Sequence, residues 1–261
     1  MRLAVVVATA LGVMFGTGDA RAQTPDERAL QRLASDYALG FHIGDADLMM
    51  ATTHRDLSKR GVRRVGAEGP EALTWLEGDL LRFMGAHYDS EDRFDEATQR
   101  IVNVFAISGD VAALELVAGD WYDAFLAVRT AEGWRLLDCV WGVLSEYEAP
   151  GADTGEAALV EGVMRAFVSA AEGGDESALS ELLHAQAQVR SFGPDGVLRA
   201  MTRDQVYRGF GGAGPAPEGE VFNATQRTAS GRVYAGARVY WLQALRIGED
   251  WRIVNVHISA S

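Results

Sequence analysis

The chain of 261 residues has one cysteine, Cys139, one lysine, Lys59, and only six prolines. A single thiol rules out an intramolecular disulfide, so each part of the fold must be held by packing. No His-x-x-x-His or His-Glu spacing accompanies that thiol, which argues against a zinc site; no metal and no other cofactor is expected. Gly-x-Ser-x-Gly is missing, and Cys139 lies in a strand pattern beside Val140 with no evident partner, so it reads as a buried, inert thiol. The scarcity of lysine among 24 basic residues reads as a compositional bias rather than as chemistry. Basic residues are also outnumbered by 37 acidic ones, for a net charge of −13. Such a chain repels phosphate backbones and anionic lipid surfaces, so nucleic acid is not an expected partner.

Long apolar runs are equally scarce. The one at Leu3 to Phe15 follows Met1-Arg2, precedes small residues at Ala20 and Ala22, and falls short of the roughly 20 residues of a spanning helix. It predicts a signal peptide over residues 1–22 with cleavage before Gln23, and hence a periplasmic or secreted protein without a membrane span.

What is present is a meander. Val111 to Val117, Trp121 to Val128 and Trp134 to Val140 read as successive strands, with turns at Gly119-Asp120 and Glu132-Gly133. A shortened copy runs from Gly231 to Ser259. Earlier residues also pair between copies: Tyr37 with Phe167, Gly44-Asp45 with Gly174-Asp175, His54 with His184 and Arg60 with Arg190. Thr74 and Glu77 match Thr202 and Gln205, Trp134-Arg135 match Trp251-Arg252, and Asp138 matches Asn255. These matches in order predict a duplicated α+β unit: residues 23–145, a Pro- and Gly-containing linker at 146–155, and residues 156–261.

Within the first unit, Thr24 and Glu27 form a capping box ahead of a helix whose apolar face includes Leu30, Ala34, Tyr37 and Phe41. Asp45 caps a second helix, Ser58 to Val65 reads as a strand, and Thr74 to Glu77 reads as the capping box of a third helix reaching Met84. Asp89 to Glu96 reads as a solvated acidic loop. In the second unit, Asp153 with Glu156 is expected to cap the first helix. The glycines Gly209, Gly211, Gly212 and Gly214 lie in a loop without the strand-to-helix setting of a phosphate cradle.

This order, with Tyr37, Gly44-Asp45, His54, Asp123 and the run Gly133 to Asp138, resembles the lumazine-binding family of the nuclear transport factor 2-like (SnoaL-like) superfamily. The resemblance is closer over residues 25–145 than over 156–260, where Asp123 has no counterpart. It implies two tandem cone-shaped units, each a curved antiparallel sheet wrapped on helices, with a pocket at the open mouth. Members bind ligands, associate, or act as isomerases or dehydratases, and usually dimerise through outer sheet faces. Two copies in one chain therefore imply an intramolecular pseudo-dimer. The family label is one of similarity and names no ligand for this chain.

Two strand carboxylates, Asp123 and Asp138, are the candidate catalytic groups, because a carboxylate among aromatics in a dry pocket can serve as a general acid or base. Tyr37, Phe41, Trp75, Trp121, Tyr122 and His54 are the candidate ligand contacts. Equivalent placement of His54 and His184 after a helix also suits an interaction with the last helical carbonyls. No complete catalytic constellation can be assembled at readable spacing, which favours non-catalytic binding of a small, partly apolar ligand, or association. The alternative is a cofactor-independent isomerase, dehydratase or hydrolase using a carboxylate of the first unit.

Overall fold

The computed structural model describes residues 22–64, 69–87, 100–119, 121–143, 155–193, 197–211 and 216–260. The expected signal peptide and acidic loop lie outside the described residues, as do Asp153, the linker up to residue 154, and Gly212 and Gly214.

Helix α1 (Pro25–Ile43) starts on the capping box foreseen at Thr24, whose hydroxyl accepts from the Glu27 amide at 3.1 Å while Glu27 accepts from the Thr24 amide. It stops at Gly44, which takes the left-handed conformation (φ 74°) that closes a helix C-terminus. Asp45 then caps α2 (Ala46–Ala51). Strands β1 (Thr53–Arg64) and β2 (Glu71–Glu77), helix α3 (Gly78–His87) and strands β3 (Arg100–Ser108), β4 (Val111–Ala118), β5 (Trp121–Thr130) and β6 (Gly133–Val143) complete the first half. The second half repeats the order with α4 (Glu156–Gly173), α5 (Glu176–Leu182), β7 (Leu183–Phe192), β8 (Leu198–Ala200), α6 (Arg203–Tyr207), β9 (Glu218–Ala224), β10 (Thr228–Ala235), β11 (Arg238–Ile247) and β12 (Asp250–Ala260). Gly174 and Asp175 repeat the left-handed stop and the cap.

The sheets are ordered β2-β1-β6-β5-β4-β3 and β8-β7-β12-β11-β10-β9. The chain is thus α+β, with two tandem units built alike. Each sheet is antiparallel except at one pair: β1 runs parallel to β6, and β7 to β12. Each first helix is also fastened to its own sheet in the same way. Asp26 accepts from Arg129 at 2.6 Å and Trp134 Nε1 at 3.2 Å; Glu156 accepts from Arg246 at 3.0 Å and Trp251 Nε1 at 3.1 Å. The bonds from Arg129 and Trp134 hold the Asp26 carboxyl below its usual range.

One local reading needs correction. Thr74 to Glu77 does not open a helix: it belongs to β2, paired with β1 in the register Lys59↔Leu76 and Gly61↔Thr74, and α3 begins after it. Long-range pairing overrides the local capping pattern there. At the matching Thr202 and Gln205, where β8 has only three residues, the capping box forms and starts α6. Helix α4 begins after Gly155, and Glu156 forms the Arg–Trp clamp; the expected cap at Asp153 lies outside the described residues.

One face of each sheet packs on its own helices: Leu30, Ala34, Tyr37, Phe125 and Leu136 in the first half, Val160, Met164, Phe167, Tyr240 and Leu242 in the second. The opposite faces pack on each other. Val62, Tyr122, Ala124 and Val140 meet Leu245 and Val254, and Val111, Ala113 and Leu126 meet Val239 and Trp241.

Polar bonds cross this contact in reciprocal pairs. Arg60 donates to Asn255 at 3.0 Å and to the Gln186 carbonyl at 2.7 Å; its counterpart Arg190 donates to Asp138 and, at 2.9 Å, to the Asp56 carbonyl. Asn255 donates to Gln243, which donates to the Ala124 carbonyl at 2.7 Å. Burial raises the Asp138 carboxyl above its usual range, although Arg190 opposes the shift. At the same contact His257 is fully buried, has neither ring nitrogen hydrogen-bonded, and presents to Phe192 edge-on at 5.2 Å.

Burial, reinforced by Arg190, pushes His257 down to about 3 from 6.5. The unfolded chain therefore takes up this proton first as pH falls. The stability that His257 contributes is full above about pH 6.5 and is lost at about 1.4 kcal/mol per pH unit below it, down to about pH 3. His54 and His184, also lowered by burial, add the same sign. Urea unfolding between pH 6.5 and 4 is expected to show this slope, and His257→Val, which copies the equivalent Val140, to reduce it. Equal slopes in the two proteins would contradict a neutral, buried His257.

Candidate functional site

Strand alternation decides which side chains reach the interior of the first half. On β1, Lys59 points to the helix-covered face and Arg60 to the other half, because consecutive residues of a strand face opposite ways. On β5 the same rule sends Trp121, Asp123 and Phe125 inward and Tyr122 and Ala124 outward. On β6 a bulge interferes. Leu126 pairs with Asp138 and Ala127 with Leu136, so Leu137 is an extra residue and the alternation inverts across it. Trp134 and Leu136 face the helices before the bulge, and Cys139 and Trp141 after it.

The inward residues form a buried polar group. Lys59 Nζ donates to Asp123 Oδ2 at 2.6 Å and to the Tyr37 hydroxyl at 3.3 Å, and lies 5.3 Å from the Tyr37 ring centre. Burial pulls the Lys59 ammonium down, but the attraction of Asp123 outweighs it, so the lysine stays charged above its ordinary range. Burial pushes the Tyr37 phenol up. Cys139 is pushed up by burial and then by the Asp123 carboxylate; its thiol donates to the Val140 carbonyl at 3.5 Å, consistent with an inert group. Asp123 Oδ1 is buried without a hydrogen-bond partner.

Beside this group is a cavity of about 40 Å³. Its walls include Phe41, Leu76, Leu81, Met84, Trp121 and Trp141, and Tyr37, His42, Lys59 and Asp123 reach it. The indoles of Trp121 and Trp141 are 5.2 Å apart. Gly61 leaves room for the second of them, since a β-carbon there would stand 2.7 Å from Trp141 Nε1.

Four of the residues singled out in the sequence thus come together: Tyr37, Phe41, Trp121 and Asp123. The others are elsewhere. Tyr122 faces the second half, where Asn223 donates to its hydroxyl; as the strand neighbour of Trp121 it cannot share the cavity. Trp75 lies on β2 with 43% of its surface exposed. His54 is in the first residues of β1, and its Nδ1 accepts from the Asp56 amide at 3.1 Å, as His184 accepts from Gln186; neither bonds a helix carbonyl. Asp138 belongs to the contact between halves, turned there by the bulge. Lys59, Trp141 and His42 were missed. The one available signal was that the only lysine sits on a strand, one residue from an arginine that recurs in the second unit.

The second half lacks the group. Lys59 corresponds to Val189, Tyr37 to Phe167, and Asp123, through the registers Asp123↔Trp141 and Tyr240↔Ile258, to Tyr240. All three replacements belong to the core of that half, where the Tyr240 hydroxyl donates to Glu172, itself paired with Arg238. Among the described residues no group of three or more His, Cys, Asp or Glu is placed to hold a metal ion, and no helix is long and apolar enough to cross a membrane.

No protein-family model and no curated protein matches the sequence. Similar solved structures include a nuclear transport factor 2-like protein of unknown function from Shewanella baltica, at 12% identity and a TM-score of 0.37, covering 42% of this chain and 97% of its own. Another of unknown function, from Silicibacter pomeroyi, has 19% identity and a TM-score of 0.36 and covers 46% of this chain and 99% of its own. A third, from Novosphingobium aromaticivorans, described as having a cystatin-like fold, has 15% identity and a TM-score of 0.30 over 52% of this chain and 88% of its own.

Removing one member of a buried ion pair strands the other, at a cost of about 3–5 kcal/mol, whereas replacing both by apolar groups is often neutral. Lys59→Met is therefore expected to destabilise by that amount in chemical denaturation, and adding Asp123→Leu to restore most of the loss. A single-mutant cost within about 1 kcal/mol of zero, the range of solvent-exposed pairs, would mean that the pair is hydrated.

Proposed function

We propose that the first half is a small-molecule binding unit, with the second half packed against it as the fixed partner of an intramolecular pseudo-dimer. One observation carries this reading: the buried Lys59–Asp123 ion pair with Tyr37 is present in one half only, and Val189, Phe167 and Tyr240 take its positions in the other. A buried ion pair adds little stability over a well-packed apolar substitute. The second half folds without an ion pair at these positions, with Val189 and Phe167 at two of them and a Tyr240 bonded to Glu172 at the third, so the pair in the first half is retained for something besides stability. Its position beside an apolar cavity fits a site that orients a ligand by a few polar groups.

The cavity has room for only a few water molecules. Binding of anything larger therefore requires Leu81 and Met84 of α3 and Leu76 of β2 to move outward. The sequence's resemblance to the lumazine-binding family of nuclear transport factor 2-like proteins supports the same half as the binding one. Binding is favoured over catalysis, because the carboxylate at the cavity is engaged in an ion pair with Lys59 and no nucleophile or metal group accompanies it among the residues that line the cavity. The N-terminal segment supports export of the chain.

Native mass spectrometry of the protein recovered from its host's exported fraction tests both parts. We expect a monomer carrying one small adduct, and an N-terminus at Gln23. Met84→Trp, which fills the cavity, should abolish the adduct while the protein stays folded. An adduct unaffected by Met84→Trp would place binding elsewhere, a bare chain would argue for a purely structural interior, and an intact Met1 would refute cleavage.

A further inference from the structure

The first strand of each half opens with a histidine whose Nδ1 accepts from the amide two residues on, at 3.1 Å in both. The carbonyl of that second residue, Asp56 or Gln186, accepts from the arginine of the other half. The charges around the two openings differ. In the first half Asp56 places a carboxylate 3.7 Å from His54, and the arriving Arg190 is bonded to Asp138. In the second half both carboxylates are replaced by amides: Gln186 stands for Asp56, and Asn255 for Asp138.

Arg60 is therefore a cation, 2% exposed, whose side-chain partner is an amide. The carboxylates that act on it are Asp138, already bonded to Arg190, and Glu77 at the end of β2. Its Nε and Nη1 are engaged, and Nη2 makes no bond within the protein. Two further arginines stand around the same strand opening. Arg203, which replaces Trp75, donates to the Leu183 and His184 carbonyls at 3.1 and 3.3 Å, and Arg252 is on β12. Burial first, and then the charges of Arg60, Arg252 and Arg203, hold His184 below its usual value, and no carboxylate is among the groups that act on it. The ring is thus neutral at pH 7, and because Nδ1 accepts, its proton is on Nε2, a donor without a partner in the protein. Among the described residues, the one carboxylate bonded to any of these three arginines is Asp250, on Arg252 at 3.1 Å. In a chain of net charge −13, positive charge is here in excess. A buried cation is normally paired, and a group of donors without an acceptor is the complement of an oxyanion.

We infer that the strand opening at Leu183–Gln186 is a second binding site, for a small oxyanion of the phosphate class. Arg60, Arg203 and His184 Nε2 are its donors, and Arg252 adds charge. A phosphate group, with close to two charges at neutral pH, answers this excess better than a carboxylate with one. The site is separate from the cavity of the first half and stands whether or not that cavity binds.

The test titrates the whole chain with inorganic phosphate, with sodium acetate, and with sodium chloride at matched ionic strength, following the histidine ring signals by NMR. Those of His184 are assigned from their loss in His184→Gln. Phosphate should move them saturably and raise the pH at which His184 takes up a proton, with acetate binding about tenfold more weakly or worse. Two variants at exposed positions probe the site without touching the core. Gln186→Asp supplies the carboxylate that the first half has at Asp56, and Arg203→Gln removes a donor. Each should weaken phosphate about tenfold or more. A response to phosphate no larger than that to chloride would reduce the effect to screening and overturn the inference. Unchanged phosphate affinity in both variants would overturn it too, by placing the anion elsewhere. Acetate bound as tightly as phosphate would overturn the assignment to a phosphate-class ligand.

Discussion

Strand β1 carries two buried cations on consecutive residues, and the pleat of the strand sends them in opposite directions. Lys59 goes into the first half, to Asp123; Arg60 goes into the second, to Asn255. Neither charge can be left without partners in such surroundings, so each requires a polar group on a strand far away in sequence. The register of β1 against β6 is consequently fixed from both sides. A slip of one residue would exchange the two cations and strand both. The interior site and the contact between halves are thus two faces of one constraint.

The same constraint explains how the two halves differ. Both use the arginine of this pair, Arg60 or Arg190, to reach across the contact and bond a carbonyl and a side chain of the opposite half. The inward position does not repeat: it is lysine in one half and valine in the other. Where valine stands, Phe167 and Tyr240 close the interior, and the Tyr240 hydroxyl turns to Glu172 at 2.5 Å. The second half therefore closes on a different polar group, Tyr240 with Glu172 and Arg238, and the Lys59–Asp123 ion pair has no counterpart there.

The duplicated order of elements, both glycine-aspartate helix junctions and the meander were legible in the sequence because they depend on local chemistry: φ-permissive glycines, capping side chains and two-residue alternation. What could not be read depends on contacts distant in sequence. The capping pattern at Thr74 was overridden by pairing with β1, whereas the identical pattern at Thr202 was not. The bulge at Leu137 inverted the facing of every residue after it in β6, which moved Asp138 out of the interior and Trp141 into it. Lys59 was visible as a compositional oddity, but only the fold shows that the chain's one lysine stands opposite a buried carboxylate.

The reciprocal bonds across the contact are not identical: one arginine meets an aspartate, the other an asparagine. Two copies of a single sequence cannot build such a contact, since any residue placed on one arm would appear on the other. Joining both halves in one chain lifts that restriction. Each arm is then open to separate mutation, the two halves meet in a fixed stoichiometry, and the encounter between them does not depend on protein concentration. Covalent linkage thus gives this architecture the freedom of a heterodimer without requiring two different chains to find one another.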